Sequence, residues 1–259
     1  MNEAEIKNSI IRFENVWKSY GNHTALKDVS FEIREGEFIT VIGSSGCGKT
    51  TMLKLINGLL NPDQGAVYIN GQDISAIDQI ELRRRIGYVI QSIGLFPHLN
   101  VKKNITFIPD ILKYDKKRSD LIAKKMIKTV GLSEEILERY PAELSGGQQQ
   151  RVGVARALAA SPRILLMDEP FGALDEITRT KLQNEMLNLH QELQLTIVFI
   201  THDLREAAKL GERIFCMEKG AIVFDGTPQE MIASFENQHE YVYNGQMLPF
   251  ENVFFNTDI

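Results

Sequence analysis

A run of apolar, mostly β-branched residues, Phe38 to Ile42, gives way to a glycine-rich turn and then to helical apolar spacing at Met52, Leu53, Leu55, Ile56 and Leu59. The turn reads Gly43-Ser44-Ser45-Gly46-Cys47-Gly48-Lys49-Thr50-Thr51. Gly43, Gly48, Lys49 and Thr50 fit G-x-x-x-x-G-K-[ST]. Glycines let the backbone curl until successive N–H groups point inward, which makes an anion nest at the positive end of a helix. Lys49 can then reach the outer phosphates of a nucleotide, and the Thr50 hydroxyl can complete an octahedral Mg²⁺ shell. A buried strand feeding a helix through such a loop points to an α/β fold.

The chain has 259 residues, enough for one large domain with a substantial core. The net charge of −5 argues against a nucleic-acid binder, which would be strongly basic. Two cysteines make no disulfide framework and suit a reducing compartment. Cys47 reads as a small residue that fits the loop, and Cys216 as part of an apolar strand in the core. The N-terminus is polar, without the apolar core of a signal peptide. No apolar run approaches the ~18–20 residues that span a bilayer, so any membrane spans must come from another chain.

Residues 10–20 and 25–33 alternate as strands about a Gly21-Asn22 turn. Residues 66–69 form another strand, and Asn70-Gly71 is a strong hairpin-turn signal. The N-terminal third thus reads as an antiparallel β subdomain around the strand–loop–helix unit, whose helix runs over 49–60. A short helix at 78–85 and a strand at 86–90, ending at Gln91, follow. Strand signals then vanish, and helical stretches at 101–112, 119–130 and 134–139 read as an inserted α-helical subdomain. Its basic residues, Lys113 to Lys128, read as a solvated face, or else one that meets anionic headgroups. After Pro162 come a strand at 164–167, a helix at 178–193, a strand at 196–200, a helix at 204–210 and a hairpin of 214–218 with 221–225. Strands alternating with helices imply a mostly parallel sheet. The tail from Phe235 carries aromatics without a period.

Asp168 and Glu169 end the strand at 164–167. Open α/β sheets bind ligands beyond the carboxyl ends of their strands. Asp168 is placed to hold Mg²⁺, and Glu169 is a candidate general base for an attacking water. His202 and Gln91 end two further apolar strands. These three strand ends imply a polar rim around a γ-phosphate, where His202 stabilises developing charge or holds the water. Ser145-Gly146-Gly147-Gln148, between Leu144 and a helix at 149–160, makes a second anion nest. One nucleotide does not need two nests, so the second fits the nucleotide of a second subunit across a two-fold seam.

Residues 43–50, Gln91, 144–148, 164–169, Ala173-Leu174-Asp175 and His202 follow the order and spacing of ATP-binding-cassette ATPase subunits. The chain resembles that family from about residue 10 to residue 234. The resemblance implies a P-loop NTPase core over 10–235, with a helical insert at about 92–162 and a short tail at 236–259. It implies that Tyr20 stacks on adenine and that Gln91 contacts Mg²⁺, linking the site to the helical insert. It also implies that the 145–148 loop closes over the ATP of a partner and that Asp175 lies at the dimer seam. The intact Glu169 implies a hydrolysis-competent site. Residues 86–98 resemble importer ATPases for quaternary amines such as glycine betaine, choline or carnitine. Members of that group often carry C-terminal regulatory domains; this sequence ends at Ile259, so regulation through them is not expected.

The resulting expectation is an ATPase using ATP and Mg²⁺ that energises import of a small solute, a quaternary amine osmoprotectant, through a separate membrane permease. Its partners would be a second copy or a similar ATPase in a head-to-tail dimer, a membrane permease and, indirectly, an extracytoplasmic substrate-binding protein, with no nucleic acid. It would sit at the cytoplasmic face of the cell membrane as a peripheral protein. The competing readings are an importer ATPase for another solute, a nucleotide-gated clamp outside transport, and a small-molecule P-loop kinase. The kinase reading leaves the loop at 144–148 without work.

Overall fold

Alternation in the first two strands decides where the N-terminal core forms. In β1 (Ser9–Tyr20) the alternate residues Ile11 and Phe13, and in β2 (His23–Arg34) the alternate residues Val29, Phe31 and Ile33, turn inward. Phe13 is paired with Phe31 across the strands, and their rings stack with centroids 4.4 Å apart. Such a buried pair adds about 0.5–1.5 kcal/mol beyond the area it removes from water. The computed structural model describes residues 9–91, 94–172, 174–236, 241–243 and 246–248. They form two compact units, one of residues up to Leu82 with those from Thr196 onward, the other of Arg83–Leu195.

In the first unit, β3 (Phe38–Gly43) is buried along nearly its whole length and leads through the glycine loop into α1 (Lys49–Ile56). The helix ends at Ile56 rather than at residue 60. Asn57 is its C-cap, Gly58 has φ 65°, and Leu59 is 51% exposed, so it lies off the core face. β4 (Gln64–Ile69) and β5 (Gln72–Asp73) complete an antiparallel sheet of order β2-β1-β4-β5. Asn70 and Gly71 between them have φ 50° and 73°, the two positive values a type I′ turn requires. α2 (Gln79–Arg85) leads into the second unit.

The second unit begins with β6 (Ile86–Val89). Three helices follow: α3 (Val101–Ile111), α4 (Lys116–Thr129) and α5 (Gly146–Leu158). The helical stretch at 134–139 is instead a 3₁₀ turn, Glu134–Glu138, too short to close α-type bonds along its length. β7 (Ile164–Asp168) runs parallel to β6, and α6 (Glu176–Leu193) follows. Three helices start two or three residues earlier than their apolar spacing indicates. α4, α5 and α6 are capped by the side chains of Asp115, Ser145 and Asp175, which accept from the N–H groups of Arg118, Gln148 and Thr178.

Back in the first unit, β8 (Thr196–Ile200) pairs parallel with β3, and α7 (Leu204–Leu210) follows it. β9 (Arg213–Glu218) pairs parallel with the other edge of β3, and β10 (Ala221–Gly226) returns antiparallel. Flanked by parallel neighbours on both sides, β3 needs the unbroken apolar run that it has. α8 (Pro228–Glu236) and a small hairpin of β11 (Tyr241–Tyr243) and β12 (Gln246–Leu248) were not expected from the sequence. The polar N-terminal stretch 1–8, Ala173 and the rest of the tail lie outside the described residues. Among the described residues, no helix is long and apolar enough to cross a membrane.

Candidate functional site

The loop after β3 can be built only from glycine at two points. Gly43 and Gly48 have φ 152° and 112°. A Cβ on Gly43 would lie 2.2 Å from the Met217 carbonyl oxygen, and one on Gly48 would lie 2.4 Å from that of Ala25. Gly46, at φ 79°, completes the curl. The Gly220 N–H donates to the Cys47 carbonyl at 3.1 Å and moors the loop to the β9–β10 hairpin. Lys49 is only 7% exposed. Its Nζ donates to the carbonyls of Gly43 at 2.6 Å and Ser44 at 2.9 Å, so the ammonium is already held inside the curl. Ser44, Ser45 and Gly46 face solvent, Cys47 is buried, and Thr50 and Thr51 are half-buried. The loop thus joins a fixed cation, a helix N-terminus and an exposed rim, the set an anion needs.

Register places His202 on the same edge. Val41 pairs with Ile200, so Gly43 and His202 each lie two residues beyond a paired position at adjacent carboxyl ends. His202 is exposed. Its turn is held by Thr201, whose hydroxyl donates to the buried Glu206 carboxylate. Asp203 caps α7 by accepting from the N–H groups of Arg205 and Glu206. Tyr20 ends β1 and is 46% exposed.

The same register logic recurs in the second unit. Val89 pairs with Met167, and two residues on the Gln91 Nε2 donates to Glu169 Oε2 at 3.0 Å. Glu169 holds φ 46°, a left-handed backbone that a non-glycine residue adopts at a cost, here directly after a strand. Asp168 is 4% exposed. Burial pushes the neighbouring Tyr88 hydroxyl up to about 12, and the charge of Asp168 adds to the shift. Among the described residues, no group of three or more His, Cys, Asp or Glu could cage a metal. Asp168 and Thr50 each carry a hard oxygen donor of the kind Mg²⁺ takes.

Ser145 and Gly146 are exposed at the start of α5. Ser145 and Gln148 form a reciprocal capping box: Ser145 Oγ accepts from the Gln148 N–H at 3.3 Å, and Gln148 Oε1 accepts from the Ser145 N–H at 2.9 Å. A Cβ on Gly147 would lie 3.0 Å from Leu174 Cδ2, so the helix start is packed onto the segment before Asp175. Asp175 is exposed and accepts from the Thr178 N–H at 3.0 Å, which holds its carboxyl below the usual range. The structure therefore brings together Gln91 with Glu169, the loop with His202, and the second nest with the chain near Asp175.

Sequence reasoning missed the arginines of α5. Arg151 Nη1 donates to the Gly131 carbonyl at 3.1 Å. Arg156 Nη1 donates to the Gly94 carbonyl at 2.8 Å, beside a cavity of about 260 Å³ also lined by Tyr88, Phe96, Phe107 and Ile108. The only signal was an arginine among small and apolar neighbours on a helix, which reads equally well as solvated.

The sequence profile described as "ABC transporter" matches residues 26–172. The carnitine transport ATP-binding protein OpuCA of Listeria monocytogenes is 53% identical over 224 residues, covering 86% of this chain and 56% of that protein. The choline transport ATP-binding protein OpuBA of Bacillus subtilis is 51% identical over 224 residues, covering 86% of this chain and 59% of that protein. The glycine betaine uptake system ATP-binding protein YehX of Escherichia coli is 48% identical over 223 residues, covering 86% and 72%. This chain spans somewhat over half the length of the first two. The ATP-binding cassette MJ0796, solved as a dimer in a post-hydrolysis state bound to ADP and Pi, superposes with a TM-score of 0.79 at 38% identity, covering 84% of this chain and 98% of that one. With more than half of its length matched by the profile, and the greater part aligned to relatives near 50% identity, the chain belongs to the ABC transporter family.

Proposed function

We propose that the chain is the ATP-hydrolysing subunit of an importer for a quaternary amine such as carnitine, choline or glycine betaine. The observation that carries the ATPase part is the Lys49 ammonium pinned inside the curled loop, with the helix N-terminus behind it. The substrate class rests on the transport functions that relatives near 50% identity bear in their names. The triphosphate sits on residues 43–51 with adenine against Tyr20. Thr50, Gln91 and Asp168 hold Mg²⁺, which neutralises phosphate charge when bound. Glu169 takes the proton of the attacking water, kept in place by the Gln91 amide, and His202 supports the charge that develops.

The exposed start of α5 faces the nucleotide of a second copy in a head-to-tail dimer, with Asp175 at the seam. Residues 10–235 work as one nucleotide-binding domain, with the insert at about 92–162. A separate permease supplies the membrane spans, an extracytoplasmic protein delivers the solute, and the ATPase works at the cytoplasmic face. ATP closes the pair, and hydrolysis releases it.

The test is complementation. A host lacking this chain should fail to accumulate labelled carnitine, choline or glycine betaine under osmotic stress. Wild type should restore uptake, and Glu169→Gln should not. The purified Glu169→Gln protein should hydrolyse ATP ~10²–10⁴-fold more slowly while binding it normally. Uptake of all three solutes unchanged by deletion would remove the substrate assignment. Near-normal turnover in the variant would remove Glu169 from its role as base.

A further inference from the structure

We infer that Arg156 is a positioning residue for hydrolysis: it ties the segment after Gln91 to the helix that opens at Ser145, so that the two shift as one piece. The inference rests on the ATPase reading above. Arg156 lies in the last turn of α5, about 16 Å along the helix axis from Ser145. Its Nη1 donates to the Gly94 carbonyl at 2.8 Å, and its guanidinium lies 5.5 Å from the centre of the Phe96 ring. Burial pushes its pKa down, so the cation stands in a largely desolvated place where its hydrogen bonds must be kept.

The neighbouring turn is equally tight. A Cβ on Gly87 would lie 2.7 Å from the Ala157 carbonyl oxygen, so α5 meets β6 backbone to backbone just before the chain reaches Gln91.

The segment is gripped from a second side. The buried Asn104 of α3 accepts from the Phe96 N–H at 2.8 Å and donates to the Phe96 carbonyl at 3.1 Å. The Phe96 ring packs on Phe107 with centroids 4.5 Å apart. Gly94 is therefore a fixed point between two helices. Three residues of chain reach at most ~10 Å, so fixing Gly94 confines Gln91. The Gln91 amide in turn meets the Glu169 carboxylate at 3.0 Å. A displacement of α5 that carries Gly94 with it shifts the range open to that amide. Arg156 never needs to touch the nucleotide.

The test is a double-mutant cycle on the full chain, read by ATP hydrolysis, ATP affinity and thermal midpoint. Arg156→Met should lower kcat ~10-fold or more and leave ATP affinity within ~2-fold, because the loop at 43–51 is untouched. Arg156→Lys should recover part of the loss, since a lysine can reach the carbonyl but lacks the planar fork that also lies on Phe96. In a Gln91→Ala background, Arg156→Met should change kcat by less than ~2-fold, because the group it positions is already gone.

An equal loss in both backgrounds would show that Arg156 acts independently of Gln91 and would overturn the inference. So would an unchanged kcat in folded Arg156→Met. Should that variant fail to fold, Phe96→Leu runs through the same cycle with the same expected non-additivity. Absence of hydrolysis by the wild type would sink the ATPase reading itself, whereas additivity in an active enzyme sinks only the role given to Arg156.

Discussion

Gly48→Ala probes the phosphate loop through its backbone. Gly48 sits at φ 112°, a region where an L side chain is strained by about 1–3 kcal/mol. The added Cβ would lie 2.4 Å from the Ala25 carbonyl oxygen, 2.8 Å from Leu26 Cδ2 and 3.3 Å from Met217 Cε. To bring the nearest contact out to 3.0 Å, the loop or the backbone of β2 must retreat by about 0.6 Å. β2 is held in register by β1, so it does not yield cheaply. Forced overpacking of this kind costs about 1–3 kcal/mol, so the sum is about 2–6 kcal/mol.

For a chain of this size, each kcal/mol shifts the melting temperature by about 2–4 °C, which puts the midpoint drop near ~10 °C. Gly46→Ala is the control. It shares a positive φ, 79°, but nothing lies within 4 Å of its Cβ. It should lose only the strain, about 1–2 kcal/mol. Thermal unfolding of both variants without nucleotide separates clash from strain. Equal midpoints for the two would refute the argument that the loop is packed against β2 and the end of β9.

Lys49→Ala removes a charge that already holds two carbonyls and is aimed at phosphate, so ATP affinity should fall ~10–100-fold by calorimetric titration; unchanged affinity would contradict the cradle. Asp175 supplies a pH dependence. Its folded carboxyl is held below the usual range, chiefly by the Thr178 N–H, so its contribution is fully present above the ordinary carboxylate pKa and is lost as pH falls through the lowered value. The gap in thermal midpoint between wild type and Asp175→Ala should therefore be constant from pH 7 to about pH 5 and close below about pH 4; a gap that widens on acidification would reverse the sign of the argument.

What could be read from the sequence tracks how local its cause is. The β3–loop–α1 unit was readable because strand pattern, glycine chemistry and helix spacing all point the same way within nineteen residues, Phe38 to Ile56. Asn70-Gly71 was readable because its backbone demand belongs to two residues alone. Helix starts slipped because apolar spacing sees only buried faces. The first turns of α4 and α5 are Lys116-Lys117-Arg118 and Gly146-Gly147-Gln148, which bury little, and the caps Asp115 and Ser145 begin those helices. Those caps were visible in the sequence and would have corrected the boundaries.

The Gln91–Glu169 contact is of another kind. Each residue was identifiable as a strand end, yet their meeting depends on the β6–β7 register, which pairs Val89 with Met167 across a helical segment. Arg156 is the extreme case. Its partner, the Gly94 carbonyl, lies 62 residues earlier, and a backbone carbonyl carries no side-chain signature. A group whose work is to join two distant segments leaves its reason on neither of them, so the residues that position a site are harder to read than those that perform its chemistry.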